Sequence, residues 1–218
     1  MTGISETKLA ALTLMIGPPI ASVLYIVFIL LPGLISVDSV DLMDWSLLAQ
    51  NQSSLHLGIR LPLLFIPVLL TCSVFGLSVL NDRLDKFSHF FKFGMNFFVA
   101  NIIISAAAWG VLQSIVWIGS PAWPMAVVST GMASYAGFLG SIGLLLIALS
   151  IAANKNTYNQ TFAYLVSVLM ILGILINGAI LLDRTEFILS LANPITGITS
   201  IIFSIWTFTL GLNLYQDD

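Results

Sequence analysis

All seventeen Asp, Glu, Lys and Arg residues of this 218-residue chain fall in short clusters, and long charge-free runs separate them. These runs cover 9–37, 61–81, 93–154, 156–182 and 187–216, with lengths of 29, 21, 62, 27 and 30 residues. A helix that crosses a bilayer needs about 20 predominantly apolar residues. Four runs therefore hold one span each and the 62-residue run holds two, which predicts six transmembrane helices. The expected spans are 9–35, 57–80, 93–118, 125–152, 161–182 and 188–214, forming one all-α integral membrane bundle over 1–218.

Composition agrees with a lipid solvent. Charged residues make up 8% of the chain and apolar ones 58%, with a mean hydropathy of +1.03, against about 25% charged residues in soluble domains. Six spans and their connections use nearly the whole length and leave no room for a folded domain outside the bilayer. The net charge of −3 is spread over both faces, so it points neither to nucleic acid nor to a polybasic lipid-binding patch. Cys72 is the single cysteine and lies in an apolar run. It is expected to be a buried structural thiol, with no partner for an intramolecular disulfide or a metal cluster. The apolar stretch after Lys8 is too long for a signal-peptide core and contains Pro18-Pro19, so it reads as a retained first helix.

Loop charge predicts the topology. Lys8, Arg83, Lys86, Lys92 and Lys155 lie at one set of alternating loops, which the positive-inside rule places in the cytoplasm with both termini. Asp38, Asp41, Asp44, Arg60, Asp183, Arg184 and Glu186 fall on the other face. Trp45, Trp117 and Trp123 at the outer boundary, with Tyr158, Tyr164 and Tyr215 at the inner one, fit aromatic interface belts. In the long outer connection, Leu42, Trp45, Leu48 and Ala49 after Asp38 form either a short surface helix or an ordered loop with an aromatic anchor.

Residues able to carry chemistry are few. His56 and His89 fall at opposite ends of helix 2, roughly 30 Å apart, so they cannot ligate one haem or metal ion. No cofactor is expected. Arg60 reads as a cation snorkelling to the outer interface; the alternatives are contact with an anionic lipid headgroup or an ion pair with Asp38, Asp41, Asp44 or Asp183. Pro18-Pro19, Pro62, Pro67 and Pro194 remove backbone donors inside or at the start of helices. Transporters build midplane sites from such breaks, but no charged or carboxamide cluster adjoins Pro18, so structural kinks are expected.

The remaining candidates are uncharged polar groups inside spans. Asn96, Asn101, Ser105 and Gln113 in helix 3 and Asn177 in helix 5 form a candidate polar intramembrane face, with Thr207, Thr209 and Asn213 in helix 6. They should hydrogen-bond across helices or line a cavity for a small neutral or amphiphilic ligand. Small residues mark close helix approach: Ser129, Ala133, Gly137 and Ser141, with Gly140 and Gly143 beside them, in helix 4, and Gly197, Ser200, Ser204, Thr207 and Gly211 in helix 6. Packing within the bundle is the default for both stripes. No phosphate-binding glycine loop, Gly-x-Ser-x-Gly elbow or His-Glu-x-x-His motif occurs. Asn51-Gln52-Ser53 is a glycosylation sequon only for a secretory eukaryotic cell.

Several segments together resemble a known family. They are a first helix ending in Leu-Pro-Gly, the run Asn51-Gln-Ser-Ser-Leu-His-Leu-Gly-Ile-Arg60, and Trp109-Gly-Val-Leu-Gln-Ser-Ile-Val-Trp117 before Pro121-Ala-Trp123-Pro124. The pattern resembles a family of uncharacterised bacterial six-helix integral membrane proteins, whose members often carry Arg-Trp-Pro where this chain has Pro-Ala-Trp-Pro. The resemblance implies a fold and a membrane location, and no activity. The functional expectation is a non-enzymatic multi-pass protein of the cell membrane that packs with membrane lipid, with a partner membrane protein or as a homo-oligomer. A small transporter or channel-like protein for an uncharged or amphiphilic solute is the alternative. An intramembrane enzyme would need two or more of Asp82, Asp85, His89 and Lys92 to converge at the cytoplasmic face.

Overall fold

The computed structural model describes residues 5–30, 56–118, 123–154, 159–183 and 185–216. Its helices are α1 (Glu6–Tyr25), continued by a π-helical turn (Ile26–Leu30), α2 (His56–Asn81), α3 (Ser88–Ile118), α4 (Trp123–Ala152), α5 (Gln160–Leu182) and α6 (Glu186–Gln216). All six are long and apolar enough to cross a membrane, and the described residues contain no strand. The surface segment expected around Leu42–Ala49 lies outside the described residues, as do Lys155 and Tyr158.

Local chemistry sets the helix ends. The Ser5 hydroxyl accepts from the Lys8 amide at 3.1 Å, with Glu6 in the first turn of α1, which satisfies an orphan donor and complements the helix dipole. Asn159 caps α5 in the same way, accepting from the Phe162 amide at 3.1 Å. Helix α3 begins at Ser88 rather than near residue 93. Lys92 marks the last charge, but a helix can continue past it into water, and here the Ser88 hydroxyl donates to Asn81 at 3.1 Å.

The starts of α1, α3 and α5 gather with the ends of α2, α4 and α6. Arg83 donates to the Thr7 hydroxyl at 3.1 Å, Lys8 lies over the Tyr215 ring at 5.8 Å, and Gln160 donates to the Ala152 carbonyl. Asn154, only 8% exposed, clamps the α2–α3 turn. Its carboxamide oxygen accepts from the Lys86 amide (3.2 Å), and its nitrogen donates to the carbonyls of Lys86 (3.1 Å) and Ser150 (2.8 Å). Consecutive helices therefore alternate in direction, and Lys8, Arg83, Lys86 and Lys92 share one end of the bundle.

Helix packing divides the chain unevenly. Helix α4 packs extensively against α3 and α5, and α1 against α2 and α6, whereas the α2–α3 and α5–α6 interfaces are thin. Two three-helix groups, centred on α4 and α1, thus close into a ring through two loose seams. Between the groups, Phe98 of α3 meets Phe203 of α6 at 6.1 Å, and Phe203 meets Trp206 at 6.4 Å.

The bundle is apolar outside as well as inside, where Leu14, Leu77, Phe98, Ile147 and Trp206 are buried. Small and hydroxylated residues such as Ala10, Ala11, Ser73, Ser141, Ser167 and Thr207 are buried, while Leu165, Val168, Leu172, Leu175, Ile201 and Ile205 are exposed. The expectation for Cys72 fails for the same reason: the thiol is exposed on α2. An apolar run in such a chain has an apolar outer face too, so hydrophobic surroundings in sequence do not imply burial.

Candidate functional site

Both small-residue stripes are packing seams within the chain. A Cβ built on Gly140 would lie 2.7 Å from the Asn101 amide nitrogen, and one on Gly137 would lie 2.6 Å from the Asn177 amide oxygen. Gly173 of α5 stands equally close to the Ser141 hydroxyl, and Gly94 of α3 meets Gly143 of α4 backbone to backbone. The Ser129 hydroxyl donates to the Ala108 carbonyl across to α3 at 2.8 Å. In α6, Gly211 abuts the Ala11 carbonyl of α1.

The candidate polar face does not form one surface. Asn101 and Ser105 come together, the Ser105 hydroxyl donating to the Asn101 side-chain amide oxygen at 3.2 Å, and Asn101 sits in the notch left by Gly140. Asn177 fills the Gly137 notch from the other flank and donates to the Gly173 carbonyl at 2.9 Å. Asn96 is exposed on the outer side of α3. Five residues turn a helix by about 140°, so Asn96 and Asn101 cannot share a face. Gln113 and Arg60 belong to α3 and α2, and their side chains lie outside the described ones.

Beside Pro18 and Pro19, side-chain hydroxyls tie α1 to α6. The Ser204 hydroxyl lies 2.6 Å from Ser22 and 3.2 Å from the Pro18 carbonyl, and the Ser22 hydroxyl lies 3.1 Å from the Ser200 carbonyl. With Ser204 donating to Ser22 and Ser22 to Ser200, the hydroxyls form a relay that ties the two helices together beside the two prolines. At the bundle end, Asp82, Asp85, His89 and Lys92 are exposed side chains on the α2–α3 turn and the first turns of α3. Among the described residues, no group of three His, Cys, Asp or Glu side chains is placed to hold a metal ion.

A pocket of about 230 Å³ opens in the α5–α6 seam, near the end that gathers the chain termini. Asn159, Thr209 and Asn213 supply its polar wall, and Phe162, Trp206, Leu210 and Leu212 its apolar wall. Leu212 is exposed on the outer surface, whereas Trp206 and Leu210 are buried, so the wall runs from the surface of the bundle into its core. The pocket exists because α5 and α6 touch so sparingly. Thr209 and Asn213 stood out in the sequence as polar residues inside an apolar span. Asn159, which looks like a loop residue, and Trp206, which looks like a core aromatic, carried no sequence signal for this role.

No protein-family model, no curated protein and no solved structure matches the chain.

Proposed function

We propose that the chain is a multi-pass protein of the cell membrane with both termini cytoplasmic, and that it acts without enzymatic chemistry through contacts with lipid or with partner membrane proteins. The observation that carries this reading is the apolar exterior: large apolar side chains lie exposed on all six long helices, while glycines and hydroxyls meet across the α1–α6, α3–α4 and α4–α5 contacts. Lipid tails are as apolar as leucine, so helices in a bilayer associate through close packing and interhelical hydrogen bonds. The glycine notches and hydroxyl relay have that character. Four cationic side chains at the end that holds the termini support a cytoplasmic placement for it. The resemblance of the Asn51–Arg60 and Trp109–Trp117 segments to bacterial six-helix membrane proteins points the same way. Partners in this reading are membrane lipid and a partner membrane protein or a second copy of the chain, with no role for nucleic acid.

A solute pathway would run along the polar residues of α3. Asn101, sealed against Gly140, favours packing over such a pathway. Cysteine labelling in a Cys72→Ser background tests both points. Asp82→Cys and Asp85→Cys should react with an impermeant thiol reagent only from the cytoplasmic side, and Asn101→Cys and Ser105→Cys should be protected from both sides. Reaction at Asn101→Cys or Ser105→Cys would establish a water-accessible path and replace the packing reading with transport.

A further inference from the structure

The α5–α6 pocket contains polar groups with no protein partner. Trp206 is 1% exposed, and among the described residues nothing accepts from its indole N–H. Thr199 Oγ1 is the buried side-chain atom among these residues that lacks both a partner and open space. Trp206 lines the pocket, which offers open space to its N–H. The Asn213 carboxamide is likewise without a partner among the described residues. Asn159 spends its oxygen on capping α5 and keeps a free amide NH₂, and Thr209 donates to the Trp206 carbonyl, leaving its lone pairs free. Asn159 is exposed and Asn213 half-buried, but Trp206 is buried and buried donors are nearly always paired, so its N–H calls for an acceptor from a ligand in the pocket.

Three features define the ligand. Among the described residues the pocket wall has no ionisable side chain, so these residues offer no counter-charge to a phosphate or an amine drawn inside. The seven residues from Asn213 to Trp206 span about 10 Å along the helix, placing carboxamides at the mouth and an N–H donor deeper. The exposed Leu212 side leaves the seam open laterally to lipid tails. We propose that this pocket binds the uncharged head of a neutral glycerolipid of the diacylglycerol class, taken from the leaflet beside the chain termini. The glycerol hydroxyl meets Asn159 and Asn213, an ester carbonyl accepts from Trp206, and the acyl chains leave past Leu212. The proposal rests on the membrane reading above.

The test is reconstitution of the full chain into phosphatidylcholine vesicles that contain a photoactivatable diacylglycerol. Insertion is scored first by resistance to alkaline extraction; a chain that is extracted overturns the membrane reading and this proposal with it. In the inserted chain, labelling should concentrate in peptides spanning 159–165 and 206–213 and be displaced by unlabelled diacylglycerol. Asn213→Leu and Trp206→Phe should each lower it about threefold to tenfold, the share of one hydrogen bond. Asn213 is only half-buried, so its variant keeps the test valid if Trp206→Phe fails to fold. Asn96→Leu, on the outer side of α3, should leave labelling unchanged. Labelling spread over all six helices, or persisting in Asn213→Leu, would mean annular lipid beside a crevice that holds only water and would refute the proposal. Equal labelling by a photoactivatable phosphatidic acid would refute the neutral-head assignment.

Discussion

Alanine at each of four glycines should separate close backbone packing from helix propensity within one pair of helices. Gly94 and Gly143 face each other across α3 and α4: a Cβ on either would lie 2.6 Å from the other's carbonyl oxygen, and one on Gly143 also 2.8 Å from the Phe98 amide nitrogen. Those obstacles are backbone and cannot swing aside. Ordinary contact begins at 3.4 Å, so the helices must part by about 0.8 Å, a gap that forfeits a quarter to a half of each dispersion contact it opens. Overpacking of this kind costs about 1–3 kcal/mol, against roughly 1 kcal/mol gained by replacing a helical glycine. Gly94→Ala and Gly143→Ala should each lose up to about 2 kcal/mol. Gly110 and Gly131 lie on the same two helices with nothing within 4 Å of a built Cβ, so alanine there should be neutral or gain up to about 1 kcal/mol. The assay is thermal unfolding in detergent followed by tryptophan fluorescence. At about 2–4 °C per kcal/mol for a chain of this size, the two pairs should separate by several degrees. If Gly143→Ala melts at or above Gly131→Ala, the α3–α4 seam is not backbone-limited and the reasoning fails.

Four further perturbations follow from the same geometry. Asn154→Ala removes three hydrogen bonds that hold the α2–α3 turn to α4 and should cost about 2–4 kcal/mol, with faster hydrogen exchange at the Lys86 amide as the local readout. Phe87 is a non-glycine residue at φ 61°; valine there should cost roughly 1–2 kcal/mol more than asparagine, which tolerates left-handed backbone, as comparative melting would show. Ala107 is exposed in the middle of α3, so Ala107→Asp should impair insertion by about 3 kcal/mol; unchanged yield in the membrane fraction would remove α3 from the bilayer. A double-mutant cycle on Ser22→Ala and Ser204→Ala should give a coupling of about 0.6 kcal/mol, and zero coupling would mean that their 2.6 Å contact contributes nothing in lipid.

Six helices long and apolar enough to span a membrane are legible because the seventeen charged residues cluster at or beyond their ends, although the charge-free 93–154 run leaves the α3–α4 break unmarked. Facing is written far less clearly. In a soluble helix polarity marks the outside, but here Leu175 faces out and Met170 faces in, and both are apolar. Cys72 was misplaced for that reason, and Asn96 was grouped with Asn101 although the two point apart. The recurrence of Ser129, Ala133, Gly137 and Ser141 announced close approach without naming a neighbour, because a missing side chain creates room and does not specify its occupant. The structure divides the occupants: Asn101 and Gly94 of α3 fit Gly140 and Gly143, while Asn177 and Gly173 of α5 fit Gly137 and Ser141. Helix α4 can thus serve as the hub of its group, because adjacent turns offer notches on two flanks.

The α5–α6 pocket is the converse case. Helix α6 spends its glycines and hydroxyls on α1, through Gly211, Ser200 and Ser204, and α5 spends its own on α4, through Gly173 and Asn177. Their shared seam is left with bulkier Phe162, Trp206 and Leu210, which hold the helices apart. A pocket made by what two helices do not share has no motif of its own. It becomes predictable only once the partner of each small residue is known. Among the described residues, the Trp206 N–H then stands out as a buried donor in that seam that neither three-helix group satisfies.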